Sequence, residues 1–225
     1  MKKKIIFVHG FGVKKDARGI FTDIEKSFLN DGNFKNVECI FTDLNIILEN
    51  GDLFLNPIEM QISILQKVYE QEKENSEIYI IAHSQGCVIT SLCDFQNLQK
   101  VFFLAPPTNN DLDKTIERMK KRPGTIINLD SESIVVRADG SKTIIPASYW
   151  QSRKKINYLD CYKNFSEKIG KDKLKIILAN QDEIVENGEI TILELEKFGE
   201  IIKVEGDHNF TQSRNELGKR IKENF

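Results

Sequence analysis

Residues 79–88, YIIAHSQGCV, decide the fold. The apolar run from Tyr79 to Ala82 reads as a strand covered on both faces. Helix-compatible sequence follows Gly86 at once, so Ser84 stands at a strand-to-helix junction. The pattern is small-x-Ser-x-Gly, with Ala82 and Gly86 two residues before and after the serine. So tight a turn brings the chain close to itself, and larger side chains at those two positions would collide. The same turn holds the serine hydroxyl beyond the sheet edge, with the next backbone N–H facing the same space. Serine and glycine are common turn residues, so this pattern gains weight only from partners elsewhere in the chain.

Working outward, apolar β-rich runs alternate with longer amphipathic stretches, which predicts a parallel sheet with helices on its faces. Strands are expected at Lys4–Val8, Val37–Phe41, Ile78–Ala82, Val101–Leu104, Leu174–Ala179 and Ile201–Val204. Helices are expected over Asp16–Asn30, from Asn56-Pro57 to about Glu74, after Ser84, and over Asp111–Lys121, Tyr158–Ile169 and Thr211–Phe225. The stretch from Pro123 to Ile156 breaks this rhythm. TIINL and IVVRADGSKTII alternate apolar and polar residues, and Asp139-Gly140 signals a hairpin turn. An insertion of one or two hairpins is expected there, continuing into Ala147-Ser148-Tyr149-Trp150 and forming a small cap at the site's rim. Tyr149 and Trp150 either line an acyl pocket or anchor the insertion to the body.

At 225 residues the chain can bury one α/β core, and a second would be cramped, so residues 1–225 are read as a single domain. Its 32 Lys and Arg nearly balance 34 Asp and Glu, which argues against a nucleic-acid partner. The Lys2-Lys3-Lys4 start resembles a signal peptide, but the apolar run Ile5–Val8 is too short for one. No stretch approaches the ~18 apolar residues of a membrane span, and the expected compartment is the cytoplasm. Cys39, Cys87, Cys93 and Cys161 have no paired spacing and read as reduced, mostly buried thiols.

A serine nucleophile needs a base, an orienter for that base, and donors for the oxyanion. His208, in Gly206-Asp207-His208-Asn209-Phe210, follows the last expected strand. In a parallel sheet the loops after the strands emerge on one edge, so His208 joins Ser84 there and is assigned as general base and acid. Asp182, three residues after Leu174–Ala179, is assigned as its orienter. Glu183 and Asp207 are rivals, better explained by helix capping. Gly10 and Gly12 flank Phe11 after the first strand, which lets the Phe11 N–H join that of Gln85 as an oxyanion hole. Gly12, His83, Tyr149, Trp150 and Phe210 are the candidate pocket residues. A dinucleotide fingerprint would need a third glycine, where Val13-Lys14-Lys15 stands. Zinc held by His9, His83 and His208 is disfavoured because none belongs to a paired motif. No metal or cofactor is expected.

HGFG at 9–12, AHSQG at 82–86, NQDEIV at 180–185 and GDHNF at 206–210 together resemble the α/β-hydrolase fold superfamily, most of all its small bacterial serine esterases and lipase-like members. The resemblance spans nearly the whole chain. It implies a minimal three-layer α/β/α sandwich with a mostly parallel sheet of about six strands, Ser84, Asp182 and His208 as triad, and a small-molecule acyl ester as substrate. Thioester hydrolysis or acyl transfer by the same residues is one alternative. A ligand-binding module on the same fold that has lost turnover is another.

Overall fold

The computed structural model describes residues 1–34, 36–185 and 188–225. Its strands are β1 (Lys2–Val8), β2 (Val37–Thr42), β3 (Ile46–Ile47), β4 (Leu53–Phe54), β5 (Ser76–His83), β6 (Leu98–Leu104), β7 (Ser133–Val136), β8 (Lys142–Ile145), β9 (Leu174–Ala179) and β10 (Glu200–Val204). The helices are α1 (Ile20–Leu29), α2 (Ile58–Glu72), α3 (Gln85–Ser91), α4 (Leu112–Lys120), α5 (Ala147–Lys154), α6 (Tyr158–Ile169), α7 (Glu189–Glu196) and α8 (Arg214–Glu223).

Six strands form one sheet in the order β10-β9-β6-β5-β1-β2, and every neighbouring pair is parallel. All six are strands expected from the apolar runs. Alternation along them builds two cores. Ile5, Phe7, Tyr79, Ile81, Phe102 and Leu104 point to one face, where they pack with Ile20, Phe21 and Ile24 of α1 and Leu217 and Ile221 of α8. Ile6, Val8, Ile80, Ala82, Val101 and Phe103 point to the other, against residues of α2, α3 and α6. The result is an α/β/α sandwich. Strand order reverses between β1 and β5, and at such a point the loops diverge and leave a crevice at the carboxyl edge of the sheet.

Several boundaries differ from the sequence reading for local reasons. The first helix begins at Ile20 rather than Asp16, because Ala17, Arg18 and Gly19 all take positive φ and turn the chain before it. Asn56, a cap residue by its place before Pro57 in the sequence, does not cap α2; its side-chain amide donates to Leu44 O and its backbone carbonyl accepts from Gln61 Nε2. The last helix is shorter than expected and starts at Arg214.

The insertion holds the expected hairpin, β7 against β8, with Ile126 bridged to Ile134. It does not continue as strand through Ala147-Ser148-Tyr149-Trp150. Those residues open α5, which starts directly after Pro146, a residue pre-set for the first turn of a helix. The hairpin also recruits two short strands the alternation pattern did not reveal. β4 pairs in parallel with β8 and antiparallel with β3, giving a second sheet in the order β3-β4-β8-β7. Val135, Ile145, Tyr149 and Trp150 are buried in the same core as one face of the main sheet.

Candidate active site

The residues singled out at strand ends come together at the carboxyl edge. β5 ends at His83, and Ser84 follows with φ 53° and ψ −124°. This left-handed backbone costs a non-glycine residue about 1–3 kcal/mol. It is held by a bond from the Ser84 N–H to Leu104 O at 2.8 Å, and α3 begins at the next residue. Gly86 is sterically required: a Cβ there would overlap Val8 O and lie 2.7 Å from His9 O. Gly10 is nearly as confined, since its Cβ would meet Ser84 Cβ at 3.0 Å. The side chain of Ala82, by contrast, fits within the core.

His208 Nε2 lies 2.9 Å from Ser84 Oγ, and His208 Nδ1 lies 2.8 Å from Asp182 Oδ2. With Nδ1–H donating to the carboxylate, Nε2 is left as the acceptor of the serine proton. The Asp182 side chain is fully buried, and its Oδ1 also accepts from the Ile184 and Val185 N–H groups at 2.8 and 2.7 Å. Those bonds fix the carboxylate's direction. The rivals take other work. Asp207 accepts from Thr211 N and Oγ1, closing the turn that leads to α8. Glu183 accepts from the backbone N–H of His208 at 3.1 Å, so it holds the histidine's main chain rather than capping a helix.

The three histidines do not share a centre. His9 Nδ1 lies 2.9 Å from Gly10 O and its Nε2 accepts from Leu44 N, so both ring nitrogens are engaged in holding the turn after β1. Burial pushes its pKa down. His83 Nε2 bonds the His208 carbonyl at 2.9 Å, while its Nδ1 is buried without a hydrogen-bond partner. Burial, reinforced by the neighbouring His208, pushes the His83 pKa down to about 3.

A cavity of about 330 Å³ opens beside Ser84 and His208. Phe11, Gly12, His83 and Gln85 line it, as does the hairpin through Val135, Arg137 and Thr143. Tyr149, Trp150 and Phe210 do not line it, which corrects their reading as pocket residues. Phe210 takes φ 51° and turns its ring into the core packed on α1 and α8. Tyr149 and Trp150 are fully buried beneath the cavity floor. The Tyr149 hydroxyl donates to Gln85 Oε1 at 2.6 Å, and its ring centroid is 5.5 Å from that of Phe11. Trp150 donates to Ser133 Oγ and lies 6.5 Å from Phe11. The pair therefore anchors the insertion and at the same time grips Phe11 and Gln85 from behind. Nothing in the sequence signalled the arginines of this cavity, which come from the loop after β1, from α4 and its C-terminal turn, from the hairpin and from α5.

No protein-family model matches the chain, and no curated protein matches it by sequence. Solved structures do match in shape. Est1E from Butyrivibrio proteoclasticus superposes with a TM-score of 0.67 at 19% identity, covering 99% of this chain and 86% of that one. A structure from the metagenome-derived lipolytic enzymes LipS and LipT gives 0.66 at 12% identity, over 99% and 92% of the two chains. The thioesterase domain from the curacin biosynthetic pathway gives 0.62 at 8% identity, over 98% and 91%. With its six-stranded parallel sheet, flanking helices and strand order, the chain has the α/β-hydrolase fold.

Proposed function

We propose that this protein is a serine hydrolase that cleaves carboxylic esters through an acyl-enzyme intermediate. The observation that carries the reading is the unbroken hydrogen-bonded line from Ser84 Oγ through His208 to Asp182, on a serine held at positive φ. His208 Nε2 takes the Ser84 proton as Oγ attacks the acyl carbonyl carbon. The oxyanion is held by the backbone N–H groups of Phe11 and Gln85, each such donor typically contributing about 2.7–4 kcal/mol to the transition state. As the tetrahedral intermediate collapses, the C–O bond to the alcohol breaks and His208 returns the proton to the departing oxygen. Water then enters, loses a proton to His208 and attacks the ester carbonyl, which frees the acid and restores Ser84. Asp182 keeps the tautomer fixed and stabilises the imidazolium throughout.

Among the described residues no helix is long and apolar enough to cross a membrane. All four cysteines are free, which accords with a reducing compartment, and we assign the cytoplasm. A fluorophosphonate probe is expected to label the wild-type protein on Ser84 and to leave Ser84→Ala unlabelled. Folded wild type that fails to react would refute the hydrolase reading.

A further inference from the structure

The chain holds seven arginines, at positions 18, 118, 122, 137, 153, 214 and 220. Five of them line the cavity beside Ser84, joined among the described residues by one lysine, Lys114. Among the described residues the lining holds two acidic side chains, Asp111 and Glu183, in a chain whose overall charge is nearly balanced. The pairing is as uneven as the placement. Arg214 and Arg220, remote from the cavity, lie within 4 Å of Asp23, Glu216 and Glu223. Among the described residues, none of the five cavity arginines has a carboxylate within that distance.

Arg153 has neutral partners instead, Asn110 and Thr115, which fix it in the cavity wall. Arg137 is only partly satisfied. Its Nε donates to Thr143 Oγ1 at 2.7 Å, while its Nη2 is buried with no hydrogen-bond partner. That nitrogen sits 3.5 Å from where a Cβ on Gly12 would stand, next to the turn that carries Phe11. Burial pushes the Arg137 pKa down, and Arg18 and Arg122 add to that push against the opposing field of Asp139; burial lowers Arg118 too, with Arg153 and Arg122 adding to it against Asp182 and Glu183. Concentrating like charges in a half-enclosed cavity is unfavourable unless an anion is bound. Arginine rather than lysine fits planar, two-pronged recognition of a carboxylate or phosphate.

We infer that the cavity takes an ester or thioester carrying a carboxylate or phosphate on a part of the molecule away from the scissile bond, recognised by Arg18, Arg118, Arg122 and Arg137. This rests on Ser84 as the nucleophile and adds the substrate's charge.

The test compares pairs of substrates that differ in that charge. One arm sets p-nitrophenyl hemisuccinate and hemiglutarate against the neutral butyrate and valerate esters, which puts the anion on the acyl side. The other sets butyryl-coenzyme A against its neutral N-acetylcysteamine analogue, which puts phosphate on the leaving group. In at least one arm kcat/KM is expected to favour the anionic member by about 10- to 100-fold, the range of a charged hydrogen bond. The preference should shrink as salt rises from 0.05 to 0.5 M. Arg137→Gln and Arg122→Gln should bring the ratio toward one, mainly through KM, while Arg220→Gln, which removes an equal charge elsewhere, keeps the wild-type ratio. Equal rates in both arms, or a ratio unmoved in the Arg137 and Arg122 variants, overturn the inference.

Calorimetry of glutarate and coenzyme A binding to folded Ser84→Ala separates this failure from failure of the hydrolase reading. Binding there, lost on adding Arg137→Gln, supports the anion site even if wild type never reacts with fluorophosphonate. Silence in calorimetry together with active, charge-blind hydrolysis sinks the anion site alone.

Discussion

Replacing Tyr149 by phenylalanine removes one oxygen from the core and tests whether the insertion controls the chemistry at Ser84. The hydroxyl is 2.6 Å from Gln85 Oε1, and both residues are buried. Without it the amide oxygen loses this donor, which costs about 1–3 kcal/mol. For a chain of this size that lowers Tm by about 2–12 °C. The second consequence concerns turnover. Gln85 supplies a proposed oxyanion donor through its backbone, and its side chain is tied down by this bond. Complete loss of one donor lowers kcat by about 10²–10³, so a donor that is loosened but present should lower kcat by roughly 3- to 30-fold. KM should hold, because the ground-state carbonyl makes less use of that donor than the oxyanion does. Tyr149→Leu also removes the ring packed 5.5 Å from Phe11 and should lower kcat further. Steady-state kinetics on a p-nitrophenyl ester, paired with thermal melts, reads both effects. If Tyr149→Phe melts lower yet keeps wild-type kcat, the bond stabilises the fold without positioning Gln85. A rise in KM alone would make Tyr149 a determinant of substrate binding instead.

Two further outcomes are open to measurement. Asp182→Asn should lower kcat by about 10⁴-fold, whereas Asp207→Asn, which disturbs only the turn to Thr211, should leave kcat within a few-fold; the opposite ranking would reassign the carboxylate. Stability should fall on acidification. His83 is held neutral with its pKa near 3, below the unfolded value of about 6.5. Between those values the unfolded chain binds the extra proton, so stability is full above about pH 6.5 and declines below it by up to about 1.4 kcal/mol per pH unit. His9, lowered in the same direction, steepens the slope. Urea unfolding of wild type and His83→Asn across pH 4–7 checks this, and equal slopes for the two would show that His83 does not contribute.

The main sheet and the Ser84 turn were legible because their constraints are local. A strand covered on both sides is largely apolar, and two of the six expected stretches, Ile78–Ala82 and Val101–Leu104, are apolar throughout while the other four carry a single charged residue each. The strand-to-helix turn leaves room for little beyond hydrogen at position 86, while Ala82 points into packed core that accepts a methyl group, so only the second of the two small residues is forced to be glycine. The insertion was harder to read. β3 and β4 are two residues each and exist because β8 offers them an edge, a condition stated nowhere near residues 46–54. The hairpin insertion was expected to continue into Tyr149 and Trp150, whose β-propensity measures fit to a half-buried surface. Pro146 and the pull of the core beneath Phe11 made them the first turn of a helix instead.

The same locality separates how the two parts of the site are encoded. Ser84, Asp182 and His208 are far apart in sequence, yet each is tied to a strand end, and parallel strands deliver their ends to one edge. The arginines have no such common address. Arg18 belongs to a loop, Arg118 and Arg122 to α4 and the turn beyond it, and Arg137 to the hairpin, so their convergence depends on where the second sheet is fastened. Pairing of β8 with β4 and burial of Tyr149 and Trp150 fasten it from two sides. The hairpin is therefore a wall of the cavity, built into the core rather than hung over the entrance. Excising residues 139–150 to alter acyl preference would strip out that core and the grip on Gln85 together. Changing Arg137 alone leaves the wall standing and alters only the charge it presents, which is why single arginine substitutions separate recognition from catalysis where a deletion would not.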